Sequence, residues 1–359
     1  MKSYCNLPFD RIKLDYDGKY QSCCHQSTHY GNIFDEGKSL EELYKGQLLK
    51  EVKVATLNKE LHSICNNNEC PHYKTELNRN HDVFVTKYPK QIEFALSPRM
   101  CNIGGKNPTK ETACAMCPRS DEGWMKDYID GTIPDRTNEI LKFIKPAMPY
   151  LEAISVLGII EPFFKGQIFD VLDRLEFKKY REQILLWTFC NVTLFNPKVQ
   201  KKYHEYVKKT TLGFSVDAAT PETYIKVRKV NKFHLVKRNL IHYFKKCKEE
   251  NRWDESFISN NINMWNLHEL SDMVKFAKEV GAPHIQFSPT YLEGLNTQLP
   301  KDVFCNENNW EIFDEAQTKA IEVGKEIGQS VQFYVPLHRG FKTGLYNQDL
   351  NQLKLINNV

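Results

Sequence analysis

Short apolar runs alternate with amphipathic segments through most of the chain. Runs rich in β-branched and other apolar residues predict strands at 92–96, 153–157, 184–188, 212–216, 257–262 and 285–288. Between them, apolar positions recur at helical spacing at about 135–146, 166–179, 197–209, 232–250 and 267–280. Alternating strands and helices build a parallel sheet, so the pattern predicts an α/β fold, a partial (β/α)6 TIM-like barrel.

Both ends of the chain add elements to this pattern. The alternating run at 11–14 leads to Asp17-Gly18, a turn that predicts a β-hairpin. Ser39, with Glu42 three residues later, forms a capping box that predicts a helix to about residue 57. Near the end, 308–328 predicts a helix and 331–335 a strand beside the barrel, before a polar tail. The predicted domains are therefore a small unit at 1–85, a barrel at 86–300 and a C-terminal addition at 301–359.

Three cysteines follow the first predicted barrel strand. Pro98 ends the apolar run, and Cys101, Cys114 and Cys117 then lie in a loop with twelve and two residues between them. Three thiolates can hold an iron-sulfur cluster while one iron keeps an open coordination position, where chemistry can take place. This loop is therefore a candidate cluster site.

A second group of cysteines lies in the small unit. The hairpin brings together its two ends, where Cys5 and Cys23 lie, and Cys65 and Cys70 follow the helix; Cys24 is the alternative to Cys23. Four thiolates can stabilise a piece of chain that is too small for its own core. Their spacing alone does not separate zinc from an iron-sulfur cluster.

Polar or conformationally special residues follow the successive strands. Gly158 and Glu161 come after the second strand, Cys190-Asn191 after the third, and Ser215 and Asp217 at the end of the fourth. Reactive groups gather at the carboxyl ends of barrel strands, so these positions predict one site at the barrel mouth. Each has a plainer alternative, because Glu161 could be a solvated loop carboxylate, and Ser215 or Asp217 could cap the next helix.

Composition narrows the function classes. Of 359 residues 41% are hydrophobic, enough for a sizeable core, and 49 Lys and Arg against 45 Asp and Glu give a net charge of +4, too small to indicate nucleic-acid binding. No signal-peptide core opens the chain and no apolar run is long enough for a membrane span, so a cytoplasmic location is predicted. In a reducing compartment, clustered cysteines indicate metal or cluster ligands.

The small unit resembles the SPASM, or shorter twitch, auxiliary-cluster domain of radical S-adenosylmethionine enzymes. The matching segments are Cys5-Asn6-Leu7-Pro8, Asp17-Gly18 followed by Cys23, Gly31-Asn32-Ile33, the helix after Ser39, and Cys65 with Cys70. In that family the domain carries one or two auxiliary [4Fe-4S] clusters, and four usable cysteines imply one here. The family usually places this domain after the barrel, whereas here it comes first.

The barrel segment is similar to the catalytic barrel of the same superfamily. Cys114-Ala115-Met116-Cys117 resembles the second half of its CxxxCxxC loop, with Met116 where a residue contacts adenine. The stretch at 158–162 resembles the GGEP motif, which implies that Glu161 and the backbone near Gly158 hold the methionyl amino group. Ser215, Asp217 and Arg228 resemble the positions that serve the ribose and the carboxylate, and Ile285 lies on the strand that lines the adenine.

Two positions depart from the family pattern. Twelve residues separate Cys101 from Cys114 where three are usual, and Ile160 stands where the second glycine of GGEP is expected. The inserted segment contains Gly104-Gly105, which lets it bend so that Cys101 can return to the other two cysteines. Ile160 still provides a backbone carbonyl. Neither departure removes a required group.

The resemblance implies a radical S-adenosylmethionine enzyme. Cys101, Cys114 and Cys117 would hold a [4Fe-4S] cluster that binds S-adenosylmethionine, and reductive cleavage would give a 5′-deoxyadenosyl radical that abstracts hydrogen from substrate. The implied substrate is a peptide or protein side chain, or else a small carbohydrate- or nucleoside-like molecule. The implied electron donor is of the flavodoxin or ferredoxin type, and no membrane or nucleic-acid partner is expected. A zinc-stabilised binding protein without catalysis is the alternative of another class.

Overall fold

The computed structural model describes residues 5–23, 26, 28–65, 86–96, 101–103, 112–117, 134–158, 160–252, 255–290 and 309–333. The strands are β1 (Arg11–Leu14), β2 (Lys19–Gln21), β3 (Gly31–Asn32), β4 (Gln91–Ala95), β5 (Ala153–Leu157), β6 (Leu185–Cys190), β7 (Lys209–Ser215), β8 (Phe257–Ile262), β9 (His284–Pro289) and β10 (Ser330–Phe333). The α-helices are α1 (Leu7–Asp10), α2 (Ile33–Glu36), α3 (Leu40–Tyr44), α4 (Gln47–Leu57), α5 (Thr137–Ile144), α6 (Gln167–Arg174), α7 (Pro197–Tyr206), α8 (Pro221–Arg228), α9 (Phe233–Glu249), α10 (Leu270–Val280) and α11 (Trp310–Ile327). Short 3-10 helices lie at Lys145–Tyr150, Phe164–Gly166, Phe177–Lys179 and Leu267–Glu269.

Within the described residues the strands form one sheet, in the order β10-β9-β8-β7-β6-β5-β4-β1-β2-β3. From β4 to β10, each strand pairs in parallel with the next strand of the chain. Since parallel crossovers are right-handed and the strand order never reverses along this run, the crossover helices lie on one face, as in a barrel. A doubly wound sheet would need a reversal of the order. The predicted partial barrel and its six strands are confirmed, with β10 added beside β9 as the sequence predicts.

Aromatic side chains fill the layer between the sheet and its helices. The buried rings of Phe163, Phe195, Tyr203, Phe214 and Tyr243 form a continuous cluster, with centroids 4.6 Å apart for Phe163 and Phe195 and 5.2 Å apart for Phe195 and Tyr243. Burial of each large ring contributes on the order of 2 kcal/mol. The cluster joins the loops after β5 and β6 to α7 and α9, and so fixes the loops that reach the barrel mouth.

The hairpin of the first domain extends the barrel sheet. Strand β1 pairs in parallel with β4, with Arg11 beside Gln91 and Leu14 beside Phe94. Strand β2 returns antiparallel to β1, as predicted, and the short β3 pairs with β2. The division of the chain into domains at residues 85 and 300 stays a prediction, but hydrogen bonding is continuous from the hairpin into the barrel.

The predicted single helix from Ser39 to about residue 57 is wrong in one respect. Ser39 and Glu42 do form the capping box, but the helix ends at Tyr44 and a second one starts at Gln47. Gly46 separates them in an extended conformation, where a side chain would meet the carbonyl oxygen of Leu43 at 2.9 Å. Glycine is a poor helix former and permits this break.

Among the described residues, no helix is both long enough and apolar enough to cross a membrane. The predicted polar tail at 336–359 lies outside the described residues.

Candidate functional site

Gly158 brings the loop after β5 against the loop after β4. Its φ is +124°, a conformation that glycine tolerates and other residues rarely adopt. A Cβ at this position would lie 3.1 Å from the carbonyl oxygen of Leu96 and 3.4 Å from its nitrogen. The close backbone approach places the loop that carries Glu161 beside the segment that leads to Cys101.

We expect Gly158→Ala to lower the free energy of unfolding by about 1–3 kcal/mol, because the new Cβ adds both strain and a backbone clash. Gly37→Ala is the matched control, since Gly37 has φ +61° but a Cβ there would meet nothing within 4 Å. Denaturant unfolding of both variants measures the difference. Equal losses would show that the approach to Leu96 carries no cost of its own.

Glu161 is fully buried, at 0% exposure, which rules out the solvated loop carboxylate. Its Oε2 accepts a hydrogen bond from the backbone nitrogen of Asn191 at 2.7 Å, and its Oε1 accepts one from the backbone nitrogen of Phe163 at 3.2 Å. Burial raises the pKa of Glu161 to about 7, against the opposing effect of these two donors and of the Arg228 charge. A buried carboxylate near its ionisation point responds strongly to any cation that binds beside it.

The iron-free protein should lose stability as pH rises from about 4.5 to about 7 because of Glu161. The unfolded chain ionises this carboxyl near 4.5 and the folded chain near 7, so in this window the folded state binds more protons and rising pH favours unfolding. The loss is about 3 kcal/mol across the window. Unfolding at pH 4.5 and 7 measures it, and Glu161→Gln should show a smaller loss by that amount.

His204 and His284, whose pKa values burial lowers to about 3 and about 4, act in the opposite direction in the same pH window. They are present in both proteins, so the difference between the unmodified chain and Glu161→Gln isolates the carboxyl. Equal pH profiles for the two proteins would contradict the assignment.

Asn191 connects the Glu161 loop to the Cys101 segment. Besides its backbone bond to Glu161, its Nδ2 donates to Asn102 Oδ1 at 2.9 Å and lies 3.9 Å from Cys101 Sγ. Its Oδ1 accepts from Thr193 Oγ1 at 2.6 Å, and Thr193 Oγ1 accepts from Asn102 Nδ2 at 2.7 Å. Three side chains thus form a closed ring of hydrogen bonds that attaches the Cys101 segment to the end of β6.

Backbone strain accompanies this ring. Val192, between Asn191 and Thr193, has φ +68° and is fully buried. A β-branched residue in the left-handed region is unusual and costs on the order of 1–3 kcal/mol. Its carbonyl oxygen accepts a hydrogen bond at 3.0 Å from Asn239 of α9, which holds the turn in place.

Asp217 and Arg228 form a buried ion pair that contacts the cysteine loop. Nη2 of Arg228 pairs with Oδ2 of Asp217, and Nη1 lies 3.7 Å from Cys114 Sγ; Arg228 is 8% exposed and Asp217 0%. Burial raises the pKa of Asp217 against the opposing charge of Arg228. Burial lowers the pKa of Arg228, but its interactions with Asp217, Cys114 and Tyr224 together raise that pKa by more, and the guanidinium stays charged.

The helix-cap alternative for Asp217 is wrong. Thr220 caps α8 by accepting a hydrogen bond from the backbone nitrogen of Thr223 at 3.3 Å, while Asp217 Oδ1 accepts from the backbone nitrogen of Asn261 at 2.8 Å. Asn266 stabilises the same turn, because its Nδ2 donates a hydrogen bond to the carbonyl oxygen of Asp217 at 2.8 Å. Asp217 is therefore fixed by the end of β8 and the loop after it, as well as by Arg228.

Two buried polar atoms at this site have no hydrogen-bond partner among the described residues. They are Nε of Arg228 itself and the hydroxyl of Tyr224 on the same helix. Burial raises the pKa of Tyr224, and the charges of Arg228, Cys114, Asp217 and Glu161 all act on its hydroxyl. Buried polar groups in native proteins normally have partners, so two orphans at one place indicate a site for a polar ligand.

The loop with Cys114 and Cys117 packs on the end of α8. The backbone nitrogen of Cys117 donates to the carbonyl oxygen of Cys114 at 2.9 Å, which closes a tight turn, and that of Ala115 donates to the carbonyl oxygen of Val227 at 2.8 Å. Met116, with Met264 and Trp265 from the loop after β8, packs on the buried Ala115. The turn presents two cysteines from one short segment.

Two further predicted site residues, Ser215 and Ile285, lie apart from the Glu161 and Arg228 cluster. Ser215 pairs with Ser259 at the end of β7 and is half-buried, and Ile285 is fully buried in β9 beside Ile258 and Val331. Neither has a described contact to the Glu161 and Arg228 cluster. Within the described ranges, no three His, Cys, Asp or Glu side chains lie close enough together to hold a metal ion.

The described cysteines of the predicted first domain, Cys5, Cys23 and Cys65, lie at the opposite end of the sheet. Gln26 pairs with Cys65 across an antiparallel bridge, and its Oε1 accepts from the backbone nitrogen of Cys23 at 3.0 Å, which brings these two cysteine segments together. Because β2 is antiparallel to β1, Cys23 follows it at the amino-terminal end of the parallel strands, roughly 15 Å of strand length from the mouth. Cys5 precedes α1 and β1 at that same end, while Cys24 and Cys70 lie outside the described residues.

Sequence reasoning missed part of this site. Asn191 could be found, since it follows a predicted strand, but Asn102, Thr193 and Tyr224 carry no motif that marks them. Their roles depend on contacts between segments far apart in the chain.

No protein-family model and no curated protein matches this chain. Among solved structures it is similar to native anSMEcpe with bound AdoMet, at 19% sequence identity and a TM-score of 0.49, over 68% of this chain and 64% of that one. It is also similar to Streptococcus suis SuiB bound to the precursor peptide SuiA, at 13% identity and a TM-score of 0.49, over 86% and 64% of the two chains. For SuiB bound to S-adenosylmethionine the sequence identity is 12% and the TM-score 0.43, over 69% of this chain and 47% of that one. This chain spans about half to two thirds of the length of these structures.

Proposed function

We propose that this chain is a radical S-adenosylmethionine enzyme whose site lies at the carboxyl ends of the barrel strands. One observation carries the proposal. The two segments with the predicted cluster cysteines are tied to neighbouring strand ends, Cys101 through Asn191 after β6, and Cys114 through Arg228 and Asp217 after β7. Glu161 is buried on the backbone of Asn191, where the charge of Arg228 also acts on its carboxylate.

The residues present fit an iron-sulfur cluster and its bound cofactor. Cys101, Cys114 and Cys117 supply three sulfur atoms, and soft thiolates are the ligands of such clusters. Amide and guanidinium N–H groups beside two of the sulfurs are suited to stabilise the negative charge of ligated thiolates. The orphaned Arg228 Nε and Tyr224 hydroxyl leave donors for a polar ligand. The proposal requires Cys101 to approach Cys114 and Cys117 when iron binds.

Each residue has a task in this scheme. When bound, the cluster and S-adenosylmethionine would supply one-electron cleavage of the sulfonium to a 5′-deoxyadenosyl radical. Glu161 accepts hydrogen bonds from the methionyl ammonium, whose positive charge favours the ionised carboxylate. Arg228 holds the cysteine turn and offers Nε to the methionyl carboxylate. Ser215 and Asp217 serve the ribose, and Met116 and Ile285 line the adenine, as the family resemblance implies.

The cysteines of the first domain are proposed to hold one auxiliary [4Fe-4S] cluster, through Cys5, Cys23, Cys65 and Cys70. Of these, Cys5, Cys23 and Cys65 lie at the amino-terminal end of the sheet, which bears on the role of that cluster. Groups at that end of a barrel serve stability rather than chemistry at the mouth. We therefore assign this cluster to holding the hairpin on the sheet, and not to contact with substrate.

The substrate and the electron donor follow from the resemblance alone. Enzymes with an auxiliary domain of this kind favour a peptide or protein side chain as substrate, and the donor would be of the flavodoxin or ferredoxin type. A small carbohydrate- or nucleoside-like substrate is the alternative. Activity with a short peptide, against none with sugars or nucleosides, would separate the two.

Metal analysis after anaerobic purification tests the proposal. Two cubane clusters predict about eight irons and eight sulfides per chain. Zinc without iron would instead support a zinc-stabilised binding protein and overturn the enzyme assignment.

A further inference from the structure

The surface above the cysteine turn combines positive charge with exposed apolar area. Lys226 and Lys229 of the α8 end lie with their ammonium groups 5.0 Å and 5.6 Å from the centre of the Trp265 ring. Ile225, on the same helix, is 42% exposed. We call Ile225, Lys226, Lys229 and Trp265 the α8 patch.

The α8 patch lies directly over the predicted cluster ligands. Val227, between its two lysines, accepts the backbone hydrogen bond of Ala115 at 2.8 Å, and Arg228 contacts the sulfur of Cys114. Trp265 packs on Ala115 from the loop after β8. One layer of residues therefore separates this surface from the cysteine turn.

The lysines of the patch are not neutralised within the described part of the chain, where neither forms a salt bridge. Contact with an indole face orients an ammonium group while leaving its charge available. A surface where two basic groups lie beside an indole ring and an exposed isoleucine suits a protein partner with a negatively charged face.

We propose that the α8 patch is the docking site of a small acidic electron-carrier protein that reduces the cluster. This inference rests on the proposed function. The rate of electron transfer falls steeply with distance, so a carrier must dock where little protein lies between its redox centre and the cluster. The patch meets this requirement, and its charge would steer an acidic carrier to it.

The redox step balances with a flavodoxin as the carrier. The anionic flavin hydroquinone gives up one electron and becomes the neutral semiquinone. The oxidised cluster would accept that electron and become one unit more negative. No proton needs to move. The encounter can be small and short-lived, as is usual for electron-transfer pairs.

Charge reversal of the patch with two different reductants tests this inference. In Lys226→Glu/Lys229→Glu, we expect cleavage of S-adenosylmethionine driven by reduced flavodoxin to fall about ten- to a hundredfold at low ionic strength, since steering is lost. The defect should shrink at high salt, which screens the charges. Cleavage driven by dithionite, which needs no docking, should stay unchanged. The neutral variant Lys226→Gln/Lys229→Gln should show a smaller loss.

Lys208→Glu/Lys209→Glu is the matched control, because these exposed lysines lie at the amino-terminal end of β7, away from the mouth, and the charge change is the same. A flavodoxin-driven rate in the patch variant equal to that of this control would overturn the inference. An equal loss with dithionite would also overturn it, by showing that the patch serves the cofactor or substrate. No cleavage with dithionite in the unmodified protein would instead overturn the proposed function, and the inference with it.

Discussion

Replacing Cys114 by Ala is expected to reduce cleavage of S-adenosylmethionine to the background of the assay. Cys114 is proposed to ligate one iron, and two remaining thiolates cannot hold a cubane with a single open iron. Iron should fall from about eight to about four per chain. The same loss is expected for Cys101→Ala and Cys117→Ala. Quantifying 5′-deoxyadenosine and iron in the anaerobically purified variants measures both effects.

Two controls separate ligation from general damage. Cys247→Ala changes a buried cysteine of α9 that has no proposed role, and should leave cleavage and iron unchanged. Cys65→Ala removes a proposed ligand at the other end of the sheet, and should lose about four irons and some stability while keeping the cleavage reaction. Cleavage retained in Cys114→Ala, or lost in Cys247→Ala, would contradict the assignment of the ligands.

Replacing Asp217 by Ala is expected to lower the free energy of unfolding by about 3–5 kcal/mol. The reason is that Arg228 would keep its charge in a buried place without the carboxylate that compensates it. The double variant Asp217→Leu/Arg228→Met buries no charge and should recover most of the loss. Denaturant unfolding of the three proteins measures these differences.

An exposed ion pair supplies the comparison. Nζ of Lys145 lies 2.7 Å from Oε1 of Glu176, and the two side chains are 46% and 38% exposed. Glu176→Gln should therefore lower the free energy of unfolding much less than Asp217→Ala. If Asp217→Ala cost no more than Glu176→Gln, or the double variant were less stable than the single one, the buried pair would not support the loop as described.

Much of the fold could be predicted from local pattern because each barrel strand is a short apolar run with a distinct boundary. The six strands, the final strand and the capping box at Ser39 follow from residues close together in sequence. The break at Gly46 is not predicted because the apolar spacing continues across it, whereas the backbone of Gly46 leaves the helical conformation with ψ 153°. Pairing of β1 with β4 was missed as well, since residues 15–90 separate the two strands and no local signal specifies a partner.

The candidate site was predictable only in part for the same reason. The ends of the predicted strands indicate Glu161 and Asp217 as site residues, and the full burial of both side chains supports this interpretation. The order of residues in the chain does not show which distant segments contact each other. The ring of Asn102, Asn191 and Thr193 and the contact of Arg228 with Cys114 join residues about 90 and 114 positions apart. The direction of the hairpin strands likewise places Cys23 far from the mouth, which the spacing of the cysteines cannot reveal.

Under the proposed function, this chain cleaves S-adenosylmethionine reductively at the barrel mouth. The most direct measurement mixes anaerobically purified, iron-loaded protein with S-adenosylmethionine and dithionite, and follows the products with time. We expect 5′-deoxyadenosine and methionine in equal amounts, with none formed when dithionite is omitted. Intact S-adenosylmethionine after incubation with the reduced, iron-loaded protein would contradict it.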